Sequence, residues 1–194
     1  MKRFKGIKGM ILLAVLVCLV LGYYFYLSNR DVPETETTDA EIMTMTQRAL
    51  ARNLETNYPP SPREVVKYFS EITQCFYNEE HSEEELKALG LQMRGIYDDE
   101  LIANQTEEEY LDLLQKDIDE YKANDRTISA YSPSSSVDVE NFSQDGYEWT
   151  RLYCVYDIKQ DSLLYQTTLC FILRKDENDH YKIYGWKRAD GQDQ

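Results

Sequence analysis

Gly9 to Asn29 is a run of 21 residues without a charge, and Lys2, Arg3, Lys5 and Lys8 stand directly before it. About 20 apolar residues cross a bilayer as a helix, so residues 9–29 read as a transmembrane helix. Met10 to Leu21 is almost wholly Leu, Val, Ile and Ala, and Tyr23-Tyr24-Phe25-Tyr26 is an aromatic cluster of the kind that sits at a membrane–water interface. The basic flank predicts a cytoplasmic tail over residues 1–8 and an extracellular C-terminal part, giving a single-pass protein of the cell membrane. Cleavage as a signal peptide would need small residues after the apolar core. Leu21 to Asn29 offers only Gly22 and Ser28, and Cys18 follows Val17 in mid-run, unsuited to lipid modification. An uncleaved anchor is the reading that fits.

Beyond Arg30 the balance reverses, with 16 basic and 35 acidic residues. Such an excess of acid excludes a nucleic-acid binder that works by phosphate neutralisation. Apolar residues make up 42% of the chain, enough for a folded core. Two histidines and four cysteines without a CxxC pair suggest no metal site, and no motif implies a cofactor.

Residues 30–60 are polar and read as a stalk, with a weak helix over Asp39 to Asn53 before Tyr58-Pro59-Pro60. A domain over residues 61–190 follows. Ser61-Pro62-Arg63-Glu64, Ser82-Glu83-Glu84-Glu85 and Thr106-Glu107-Glu108-Glu109 have the pattern of capping boxes, so three helices start there. The glutamates also suit the positive end of each helix dipole, which accounts for these acidic clusters without catalysis. The first helix runs to about Tyr77, the second carries Leu86, Leu89 and Met93, and the third runs to about Ala123. A short turn is expected at Asp98 to Ala103. After Arg126 the apolar period changes from 3.6 to 2, with strands at Thr127–Tyr131, Ser136–Phe142, Tyr147–Ile158, Leu163–Arg174 and Tyr181–Arg188. Helices followed by an antiparallel meander predict an α+β fold, with three helices packed on one side of a curved sheet.

Alternation assigns the sheet faces. Leu152, Cys154, Tyr156 and Ile158 face inward on the long strand. A four-residue loop at Lys159–Ser162 makes residue i oppose roughly 321 − i, which turns Leu163, Tyr165, Thr167, Leu169, Phe171 and Leu173 to the same side. Tyr181 and Ile183 are taken as inward on the last strand. Cys154 then points inward and Cys170 outward, so they cannot bridge, and Cys75 lies on the helix layer, too far for a disulfide. Three buried thiols are expected.

Three helices and a bent meander, closed by Phe171-Ile172-Leu173-Arg174-Lys175 and Tyr181-Lys182-Ile183-Tyr184-Gly185-Trp186, resemble the nuclear transport factor 2-like fold, also called cystatin-like. With its anchor the chain is similar to uncharacterised single-pass membrane proteins of anaerobic Gram-positive bacteria. The resemblance implies a cone whose helices and sheet enclose a pocket, in a family of isomerases, dehydratases and non-catalytic binding or dimerising modules. Tyr68, Phe69, Tyr110, Tyr156 and Tyr165 are the candidate pocket residues. Enzymes resembling ketosteroid isomerase place an aspartate inside the cone. No acid falls on the inward strand face here, so no catalytic residue is assigned.

The other face carries Trp149, Tyr153, Tyr184 and Trp186, an aromatic set that is a candidate interface for a protein partner or a second copy. The alternative is that the stalk or first strand folds over it. Two functions follow: a membrane-tethered binding or interaction module outside the cell, or a cone-pocket binder of small molecules, with an isomerase- or dehydratase-like enzyme as its catalytic form.

Overall fold

The computed structural model describes residues 43–189. The basic tail, the apolar run 9–29 and the stalk as far as Ile42 lie outside the described residues, as does the end of the expected domain at 190. Among the described residues no helix is long and apolar enough to cross a membrane.

The helix starts lie where the caps place them. Helix α2 spans Pro62–Asn78, α3 Glu83–Arg94 and α5 Glu107–Ala123, with the short α4, Asp99–Ile102, between the last two. Ser82 and Thr106 head reciprocal boxes: each side chain accepts from the backbone three residues on, and Glu85 and Glu109 reach back. The first box is only half made. Ser61 accepts from Glu64 N at 3.3 Å, but the Glu64 carboxylate turns to Arg63 and Lys67 instead. A proline at the first helical position leaves that turn in place without the return bond.

The segment read as stalk to Pro60 is folded from Met43 onward. Helix α1, Met45–Leu50, buries Thr46 and Ala49. Glu79, which ends α2, accepts from Met45 N at 3.0 Å, Thr46 N at 2.9 Å and Thr46 Oγ1 at 2.6 Å. A carboxylate on free amides of a helix start is a strong pairing, and composition alone hides it because Glu79 is 33 residues away. His81 joins the same junction, with Nε2 2.7 Å from Cys75 O and Nδ1 3.4 Å from Thr46 Oγ1.

Five strands make one antiparallel sheet: β1 Arg126–Pro133, β2 Glu140–Gln144, β3 Tyr147–Gln160, β4 Leu163–Lys175 and β5 Tyr181–Arg188. The long β3 holds β4 along one edge and shares its other edge between β1 and β2. Strand β2 begins later than expected, because Ser136–Asp138 forms a 3-10 turn. Strands β3 and β4 join through the two residues Asp161 and Ser162, so Gln160 opposes Leu163 and Trp149 opposes Arg174, each pair summing to 323. That register differs by two from the expected one, and a shift of two keeps every side chain on its face. The free side of β5 is met by Ile96–Asp98: Ile183 N donates to Ile96 O and Asp98 N donates to Ile183 O, both at 2.9 Å.

One core lies between helices and sheet. Val65, Val66, Phe69, Ile72 and Phe76 of α2 meet Leu89 and Met93 of α3 and Leu152, Cys154, Tyr156, Phe171, Leu173 and Ile183 of the sheet, all buried. Burying each large apolar side chain stabilises the fold by roughly 1.5–3 kcal/mol. Gly90 lets α5 approach α3: a Cβ there would stand 2.8 Å from Leu111 Cδ2.

Candidate functional site

Between α2, α5, the end of α3 and the helix-facing side of β3 and β4 lies a cavity of about 430 Å³. Ligand pockets typically run from about 300 to 1,000 Å³. The walls are Phe69, Phe76 and Tyr77 from α2, Met93 and Tyr97 beyond it, Leu101, Tyr110, Leu113, Leu114, Asp117 and Tyr121 from the later helices, and Ile128, Tyr156, Ile158, Thr167, Leu169 and Trp186 from the sheet. Leu113 and Asp117 are exposed and mark the rim.

Of the candidate pocket residues, Phe69, Tyr110 and Tyr156 line this cavity. Tyr156 is a buried phenol 2.7 Å from Ser70 Oγ. Tyr68 faces the other side of α2, where its hydroxyl donates to Ala49 O at 2.9 Å and accepts from Gln92 Nε2 at 2.8 Å. Helix rotation separates it from its neighbour Phe69 by about 100°, which turns Tyr68 to α1 and α3 while Phe69 enters the cavity. Tyr165 is on the helix-facing side by register but is exposed and is not among the cavity's walls.

Sequence reasoning left out Tyr77, Tyr97, Asp117 and the most consequential member, Trp186. Tyr77 had a signal, since Phe69, Thr73, Phe76 and Tyr77 follow the i, i+4, i+7, i+8 spacing of one helix face. Trp186 had none. Leu173 pairs with Ile183 but Ile172 pairs with Gly185, leaving Tyr184 as an extra residue. This bulge reverses the alternation. Trp186 therefore opposes Phe171 on the helix-facing side, with ring centroids 5.1 Å from Phe69 and 5.5 Å from Tyr97. It does not belong to the outer aromatic set in which alternation had placed it.

The remaining outer aromatics are already engaged. Arg174 donates to Asp98 Oδ2 at 2.9 Å and Oδ1 at 2.6 Å, and to Glu100 at 2.7 Å. The rings of Tyr147, Trp149 and Tyr184 stand 4.7, 5.4 and 5.2 Å from its guanidinium carbon. Tyr184 also donates to Glu100 at 2.9 Å. Trp149 and Tyr184 thus tie β3 and β5 to the start of α4. Tyr153 is half-buried, and its backbone exchanges hydrogen bonds with Ser134, which continues the β1 edge alongside β3.

Inside the cavity the ionisable groups are phenols held neutral. Burial pushes the Tyr110 and Tyr121 hydroxyls up to about 12. Burial, and then the neighbouring Tyr110, raises Tyr97 well above its ordinary value. Tyr77 is raised by burial and by its hydrogen bond to the Asp117 carboxylate. Two buried hydroxyl oxygens on lining residues, Tyr121 Oη and Thr167 Oγ1, find no hydrogen-bond partner among the described residues. An unpaired buried hydroxyl costs about 1–3 kcal/mol. A guest with a hydroxyl or carbonyl group would relieve that cost, while the aromatic and aliphatic walls favour an uncharged apolar body.

No curated protein matches the chain. The model of the family described as "Domain of unknown function (DUF6715)" matches residues 1–186, and the chain belongs to that family.

Proposed function

We propose that this domain binds a small, largely apolar and uncharged molecule in the cavity, and that residues 9–29 hold it at the outer face of a cell membrane. The cavity carries the reading: about 430 Å³ of aromatic and aliphatic wall with two unpaired hydroxyls. Helices over a curved antiparallel sheet with a cavity between them support a nuclear transport factor 2-like cone as the fold. The partner-interface reading has lost its centre, since Trp186 lines the cavity and Tyr184 and Trp149 hold Arg174. Asp117 is the carboxylate among the lining residues, and its hydrogen bond to Tyr77 at the rim favours holding a ligand over proton transfer.

Solvent extracts of the purified protein, analysed by mass spectrometry, should yield a neutral apolar compound. Leu114→Trp and Leu169→Trp fill the cavity and should deplete it. Tyr121→Phe with Thr167→Val should weaken its retention at least about three- to tenfold, the worth of one ordinary hydrogen bond. Equal recovery from the wild type and both filled variants would sink the binding reading. The tether has its own test: protease added to intact cells should digest the domain, and protection, or release by a salt wash, would overturn it.

A further inference from the structure

The tip of the β3–β4 hairpin is unusually apolar for a turn in water. Leu163 and Leu164 follow Asp161-Ser162 directly and are each 68% exposed. Nothing in the fold of β3 and β4 needs two leucines there. The hairpin tip shares one end of the domain with the start of α1. Met45 N bonds Glu79 at the end of α2, and Lys122 of α5 reaches Glu79 O at 3.1 Å. Asn78 bonds Ile128 of β1, and Arg126 pairs with Gln160, the last residue of β3. Met43 and Met45 add two more exposed apolar side chains at that end.

We propose that this end of the domain docks on the lipid bilayer, with Leu163 and Leu164 entering the membrane interface. The proposal rests on the membrane anchor proposed above and not on the cavity's ligand. Thirteen residues, 30–42, connect the apolar run to Met43. Fully extended they reach at most about 45 Å, so the bilayer is present at high effective concentration and a weak contact suffices. The charges at this end give no basic patch, Lys122, Arg126 and Lys159 standing against Glu79, Glu80, Asp125 and Asp161. Apolar contact therefore carries the docking, and neither salt nor anionic lipid should govern it. Ile158 and Thr167, which line the cavity, flank the same hairpin end. Docking would bring the cavity close to lipid, where apolar molecules concentrate.

The test uses the full chain in a Cys18→Ser background, the other three cysteines being buried. Ser162→Cys is labelled with bimane and the protein reconstituted into phosphatidylcholine vesicles, with or without lipids carrying a doxyl group high on the acyl chain. Ser143→Cys, on β2 toward the other end of β3, is the control. The tip label should be quenched by the doxyl lipid and the control should not, and added phosphatidylglycerol or salt should change neither. Leu163→Ser with Leu164→Ser should lower the docked-to-free ratio at least about tenfold while the protein still floats with the vesicles. A floating protein with an unquenched tip overturns the docking and leaves the anchor standing. Equal quenching of tip and control overturns it as well. Cross-linking between tip cysteines of two molecules, without doxyl quenching, makes the leucines a contact between copies and overturns it. A chain that does not float fails at the anchor, and the docking falls with it.

Discussion

Tyr184 has no partner of its own in the β4–β5 ladder, and that one extra residue decides where Trp186 goes. Paired regularly, with Tyr184 opposite Ile172, the strand would carry Trp186 to the other face, away from Phe69 and the cavity. A Cβ at Gly185 would meet nothing within 4 Å, so the bulge does not depend on a glycine there. The caps show the opposite case, in which a residue's role is set by its immediate neighbours. Thr106 accepts from Glu109 N at 3.2 Å while Glu109 Oε2 receives Thr106 N at 2.9 Å. We expect Thr106→Ala to cost about 0.5–2 kcal/mol in denaturant unfolding, and Ser61→Ala to fall at the low end of that range because its box lacks the return bond. Unchanged midpoints for both would mean that these hydroxyls do not carry the helix starts.

At the scale of elements, α1 stays on the domain because Glu79 is ionised. Burial opposes that charge, but the bonds from Thr46 and Met45 outweigh it and hold the carboxyl below its ordinary value. A depressed carboxyl contributes stability that is fully present above the unfolded-state value, about 4.3, and is lost as the pH falls through the folded-state value. Protection of the Met45–Leu50 amides against exchange, relative to the free-chain rate at each pH, should therefore fall below about pH 4.3 before that of the core strands. Glu79→Gln should loosen α1 at neutral pH by about 1 kcal/mol and remove the acid step. An acid step of the same size in the variant would assign it to another group. The β2–β3 turn is an element that sequence reasoning passed over. Asp145-Gly146 is a strong two-residue hairpin signal, and both residues have positive φ, 52° and 82°.

For the whole molecule, the three cysteines of the described domain are buried free thiols. Burial pushes Cys75 up to about 11, and burial raises Cys154 despite the hydrogen bond from Ser70. Thiols that stay protonated at neutral pH are poor nucleophiles. We expect the folded domain to resist alkylation at pH 7, and all three residues to react once it is unfolded without reductant. Recovery of only one would mean a disulfide and would contradict the packing of α2 over β3.

Local chemistry was sufficient for much of this fold. Hydroxyl–glutamate spacing marked three helix starts, and the change of period after Arg126 marked the passage from helices to strands. Alternation turned Tyr156, Phe171 and Leu173 inward, and the faces of β3 and β4 survived a register shift because it was even. These signals act within a few residues, through backbone amides and side-chain period, so one segment contains them whole. The cavity was legible in part, through Phe69, Tyr110 and Tyr156. Tyr68 could not be told from Phe69 until α1 arrived to receive its hydroxyl. The place of Trp186 depended on an unpaired Tyr184, a matter of register between two strands. The roles of Trp149 and Tyr184 depended on Arg174 meeting Asp98, 76 residues away in the chain. Parity, cavity and ion cluster are properties of segments brought together, and tertiary packing alone determines which segments meet.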